Sequence, residues 1–190
     1  PGKGILAADE SSGTIKKRFD GIKLESTEEA RRTYRELLFT TPGAAEYISG
    51  VILYDETIRQ KTKDGTPFPQ YLAKLGVVPG IKVDTGAKPL AGFPNETITE
   101  GLDGLRERLA EHKALGARFA KWRAVIEIDE VLPSAGCINE NAHSLALYAA
   151  LFHALNHALF KGLLFLNAGS MLYATGTQDM GKLGGLIKHM

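Results

Sequence analysis

A single cysteine, Cys137, stands among 190 residues, so no internal disulfide can form. The expectation is a reducing compartment, the cytoplasm. Charge of one sign is equally scarce: 23 basic against 22 acidic residues leave a net +1, and no Lys/Arg run is interleaved with aromatics. A chain without a basic field is not expected to bind nucleic acid. No Cys/His cluster has the spacing of a zinc site. Internal repeats and low-complexity tracts are missing too. Nor does Pro1-Gly-Lys-Gly4 look like a secretory leader, because it passes directly into an apolar run. A start already inside a strand reads as a cut from something longer.

What is present is a rhythm. Apolar runs of strand length fall at 4–8, 49–54, 77–83 and 117–128, separated by stretches of helical period. Ser26-Thr-Glu-Glu29 is a capping box ahead of a helix over 30–39, and Leu102, Leu105 and Leu109 mark one face of a helix ending near Gly116. Lys63-Asp-Gly65 and Phe93-Pro-Asn95 supply turns. Alternating β and α with nearly continuous apolar strands predicts an α/β fold with a parallel sheet. His112 and His143 lie in polar helical contexts and are expected to face solvent.

Charged residues gather at the ends of these strands. Lys121 and Arg123 share one face of the fourth run, Asp9 ends the first, and Lys82 shares a face with the terminal Asp84 of the third. A lysine in an apolar strand is expensive to bury unless paired, so it serves either a structural ion pair or chemistry with a carbonyl or phosphate. Spacing alone leaves both open. The same holds for Ala8-Asp-Glu-Ser-Ser-Gly-Thr14, where Ser11 or Ser12 caps a helix, or the free backbone N–H groups receive an anion.

Several segments together carry a resemblance. Gly2-Lys-Gly-Ile-Leu-Ala-Ala-Asp-Glu-Ser11, Tyr47-Ile-Ser-Gly-Val-Ile-Leu53, Val78-Pro-Gly-Ile-Lys-Val-Asp84, Pro89-Leu-Ala-Gly92, Gly101-Leu-Asp-Gly104, Phe119-Ala-Lys-Trp-Arg123 and Pro133-Ser134 through Glu140-Asn-Ala142 occur in one order. Residues 1 to about 145 thereby resemble class I fructose-bisphosphate aldolase. The resemblance implies a partial (β/α)₈ TIM barrel of about four βα units, with ligands at the carboxyl ends of the strands. It implies cleavage of fructose 1,6-bisphosphate into two triose phosphates through a lysine imine, with no metal and no cofactor. Asp9 and Lys121 would be catalytic, Asp9 orienting substrate hydroxyls beside the imine and Lys121 assisting proton transfer. Lys82 and Arg123 would bind substrate phosphate or hydroxyls, Ser11 and Thr14 the distal phosphate, with Arg18 and Arg31 as further basic contacts. The family's imine-forming lysine, on its sixth strand, and its acid/base glutamate, on its fifth, find no counterpart here, so this chain alone is expected to be inactive.

Composition changes near Leu145. From there to Leu166 no acidic residue occurs, and His153, His157 and Lys161 recur every four residues. Residues 145–190 resemble the antiporter-type membrane subunits of respiratory complex I and related hydrogenases, whose proton-conducting stripe these three would match. The expected division is therefore a half-barrel over 1–144 and an apolar, mainly helical tail over 145–190, with one long helix over 141–166. A recombined or misassembled reading frame is the expected origin of the join. The expected partners are a small sugar phosphate, further copies of the chain through open sheet edges or the tail, and a membrane only where the tail dominates.

Overall fold

Nearly continuous apolar runs alternate with helical segments, and the chain folds accordingly. In the computed structural model the described residues are 2–153. They run β1 (Gly4–Ala8), α1 (Ser12–Asp20), α2 (Glu28–Thr40), α3 (Ala44–Tyr47), β2 (Ile48–Leu53), α4 (Asp55–Arg59), α5 (Phe68–Lys74) and β3 (Val78–Lys82). There follow β4 (Gly86–Pro89), β5 (Thr97–Glu100), α6 (Leu105–Ala114), β6 (Phe119–Lys121) and a helix, α7, covering residues 135–153. Two compact units divide the chain, Pro1–Ala149 and Ala150–Met190, and only residues 150–153 of the second are described. The stripe positions His157 and Lys161 and most of the expected tail lie outside the described residues.

The four expected strands are parallel neighbours in the order β1-β2-β3-β6. Leu6 and Val51 meet Phe39 and Leu72 of the helices on one face, and Leu53, Ile81 and Val83 are buried with them. On the other face the ring of Phe119 lies against Gly80, its register partner, and Gly50. Any Cβ at Gly80 would collide with that ring, so glycine is required there by space alone.

Several expectations need correction. The fourth strand is shorter than 117–128, since β6 ends at Lys121. Beyond it the backbone is held by side chains: Thr99 Oγ1 donates to the Arg123 carbonyl at 2.8 Å and Thr97 Oγ1 to the Val125 carbonyl at 2.7 Å. Those threonines belong to an antiparallel hairpin, β4–β5, which the strand reading passed over. The cap of α2 is Thr27, accepting from Ala30 N at 3.1 Å, one residue later than the capping box requires. His112 is 2 % exposed, not solvent-facing, because it completes the buried stripe of Leu105 and Leu109 and its Nε2 lies 2.8 Å from Asp55 Oδ1. His143 is exposed as expected. α7 starts at 135, where Ser134 Oγ accepts from Cys137 N at 3.1 Å. Among the described residues no helix is long and apolar enough to cross a membrane.

Candidate active site

Parallel strands place their carboxyl ends together, and here each end carries charge. β1 ends at Ala8 and hands Asp9 and Glu10 to a short loop, after which Ser11 caps α1, its hydroxyl accepting from Thr14 N at 3.4 Å and lying 3.1 Å from Thr14 Oγ1. The register aligns Lys82 with Lys121 on adjacent strands. Lys121 Nζ donates to Asp9 Oδ2 at 2.6 Å, and Lys82 Nζ lies 3.1 Å from Asp84 Oδ1. The other oxygen of Asp84 accepts from the backbone N–H of Arg123 at 3.3 Å. Two lysines, each beside its own carboxylate, thus meet at the carboxyl ends of β3 and the edge strand β6.

Between them opens a cavity of about 430 Å³. Asp9, Ser11, Thr14, Arg18, Lys82, Lys121 and Arg123 line it, so seven of the eight sequence-selected residues are gathered in one place. Arg31 is not. Its guanidinium forks onto Glu56 at 2.8 and 2.6 Å and donates to the Ser26 carbonyl at 2.6 Å, a bidentate pair that closes α2 against α4 and uses the donors that a ligand would need. Arg18 donates to Glu10 Oε1 at 2.5 Å and to the Tyr34 hydroxyl at 3.1 Å, and the Glu10 charge, then the Tyr34 hydrogen bond, hold its guanidinium above the usual arginine range.

Residues that the sequence reading did not select also take part. Glu10 and Val125 line the cavity, as do Gly86 and Ala87 of β4. The alternation Thr97-Ile-Thr-Glu100 was a period-two signal for β5, but Gly86 and Pro89 weakened the partner strand's signal. Four cations against three carboxylates leave the rim with one positive charge in excess, and the Arg123 guanidinium makes no ion pair or hydrogen bond among the described residues. Such an arrangement suits an anion with hydroxyls, because the lysines and Arg123 hold charge while Asp9 accepts from O–H. Among the described residues no group of three or more His, Cys, Asp or Glu side chains could hold a metal ion.

The model of the class-I fructose-bisphosphate aldolase family matches residues 1–157. The chain belongs to the class-I fructose-bisphosphate aldolase family. A probable class 1 aldolase of Xanthomonas campestris pv. campestris is 68% identical over 151 residues, covering 80% of this chain and 45% of the relative. Cytosolic fructose-bisphosphate aldolase 6 of Arabidopsis thaliana is 58% identical over 151 residues, covering 80% and 42%. The aldolase of Plasmodium falciparum, solved in complex with TRAP and a small-molecule inhibitor, superposes with a TM-score of 0.76 at 52% identity, over 79% of this chain and 44% of that one. Four parallel strands and this aldolase neighbour together fit a partial TIM barrel. The chain spans less than half the length of the relatives it matches. A second family model, the NADH:quinone oxidoreductase/Mrp antiporter transmembrane family, matches residues 135–190 and overlaps the aldolase match over 135–157.

Proposed function

We propose that residues 1–144 are the amino-terminal half of a class I aldolase, evolved for reversible cleavage of fructose 1,6-bisphosphate, and that this chain alone binds sugar phosphates without turning them over. The observation that carries the reading is the cavity itself, in which Lys121 with Asp9 and Lys82 with Asp84 face a common space at the carboxyl ends of the strands. In this reading Asp9 orients a substrate hydroxyl and Lys121 holds a proton for transfer. Lys82 and Arg123 take phosphate or hydroxyls, while Ser11, Thr14 and Arg18 take the distal phosphate. The imine-forming lysine that the family resemblance implies belongs to a later strand. Cytoplasmic residence fits relatives named cytosolic.

Borohydride treatment with dihydroxyacetone phosphate, followed by mass spectrometry, tests the inactive half of the proposal. No adduct is expected; a stable adduct on Lys121 would overturn it. Self-association is part of the same reading, because among the described residues no strand pairs with the outer edges of β1 and β6, and Ile5 on β1 is 61% exposed. Light scattering across a concentration series checks it, and a strictly monomeric mass would contradict it.

The antiporter-family match supports a second reading for residues 145–190, a membrane-directed tail. Detergent-free expression separates the two. Recovery in the soluble fraction favours the sugar-phosphate reading, and recovery only with membranes favours the tail.

A further inference from the structure

Three arginines on α2 look alike in sequence, yet one is set apart by burial. Arg35 is 1% exposed and heads the largest fully buried side chains. A guanidinium in such a place must hand its donors to fixed acceptors. Nε donates to the Ala8 carbonyl at 2.7 Å and Nη2 to the Glu10 carbonyl at 2.9 Å, the two backbone oxygens on either side of Asp9. Glu10 Oε2 lies 3.0 Å from the same Nη2 while making no hydrogen bond, and its partner oxygen accepts from Arg18 at 2.5 Å. The Tyr34 ring packs 5.5 Å from the guanidinium carbon.

We propose that Arg35 is a positioning residue of the site: by gripping the carbonyls before and after Asp9 it fixes the direction of the Asp9 carboxylate and, through the 2.6 Å hydrogen bond, that of Lys121 Nζ. The inference deepens the aldolase reading and rests on it. Two peptide planes held on a rigid planar fork leave the side chain between them little freedom to swing. A loop with only its Ser11 cap would hold one side of the turn alone. Arginine is required because its donors diverge at fixed angles, whereas a lysine ammonium on a flexible stem reaches one carbonyl at a time. The same grip holds Glu10, so Arg18 at the cavity rim depends on it as well.

The test uses the full chain with Arg35→Lys and Arg35→Met, and with Asp9→Asn as reference. Amine acetylation with a succinimidyl ester is followed by peptide mass spectrometry, scoring Lys121 against exposed Lys88 in the same molecule. Release from its carboxylate frees the Lys121 side chain to reach the ester, which its nitrogen attacks as the neutral amine with loss of a proton to solvent and departure of N-hydroxysuccinimide. The Lys121/Lys88 ratio is therefore expected to rise about threefold in Arg35→Lys, towards the Asp9→Asn value. A structural role alone would lower the unfolding midpoint and leave the ratio at its wild-type value, which overturns the proposal. Should Arg35→Met not fold, Arg35→Lys decides. Failure of the aldolase reading is read separately, as wild-type chain whose Lys82 acetylation ignores added inorganic phosphate.

Discussion

At the strand ends Lys121–Asp9 and Lys82–Asp84 close at 2.6 and 3.1 Å, while on the helical exterior Arg31–Glu56 and Arg32–Glu36 close at 2.6 and 2.7 Å. Distance does not separate the two regions. Remaining donor capacity does. Arg31 spends its fork on Glu56 and Ser26, and Arg32 spends its own on Glu29, Glu36 and the Lys61 carbonyl. Each cavity lysine has one carboxylate neighbour for three N–H groups, and the Arg123 guanidinium beside them has none among the described residues. An ion pair that exhausts its donors fastens elements together, whereas one that leaves donors over a cavity can still meet a ligand.

The sharpest way to break this contrast is a pair of substitutions. Arg31→Met removes a part-buried fork and is expected to cost about 2 kcal/mol of stability in urea unfolding, with phosphate binding unchanged. Arg123→Met is expected to do the reverse, weakening phosphate binding about tenfold, about 1.4 kcal/mol, while the unfolding midpoint barely moves. Fluorescence of Trp122, the sole tryptophan and the residue between Lys121 and Arg123, reports the binding. If both variants lost stability and binding in proportion, the two regions would be one.

A smaller effect separates the regions by pH. Burial tends to raise the Asp55 carboxyl, but hydrogen bonds from Arg59 and His112 outweigh it and hold it below its ordinary value of 3.8. A carboxyl depressed in the folded state stabilises above the unfolded pKa and loses that contribution as pH falls through the folded one. Asp55→Asn should therefore be less stable than wild type at pH 7, by well under 1 kcal/mol because the side chain is half exposed, and the gap should close below about pH 4. Denaturant midpoints at pH 7 and pH 2.5 check the sign. Smallest of all is Lys16→Ala, whose salt bridge to Asp20 is open to water; a loss above about 0.5 kcal/mol by the same assay would mean that exterior pairs matter more than supposed.

Strand phase made the central pairing legible: Asp9, Lys82, Asp84, Lys121 and Arg123 sit at known phases of three of the four apolar runs, and a parallel sheet can only bring such ends together. The hairpin was less legible, because its strands carry Gly86 and Pro89 on one side and threonines on the other. Arg31 and Arg35 lie on the same charged face of α2 four residues apart, and nothing local distinguishes them. The choice between a fork to Glu56 and a grip on the Asp9 loop is made by tertiary neighbours about 25 residues distant in the chain. His112 did leave a trace, since positions 105, 109 and 112 form one helical stripe that its polar surroundings masked.

The central claim is that the cavity at the strand ends, and not the exterior lattice of arginines, receives a sugar phosphate. Titrating chain carrying nitrogen-15 in its lysine and arginine side chains with fructose 1,6-bisphosphate tests it most directly. The account predicts that Lys82, Lys121 and Arg123 shift together and saturate at one concentration, while Arg31, Arg32 and Arg59 stay in place. Equal movement of both sets, or stillness at the cavity, would contradict it.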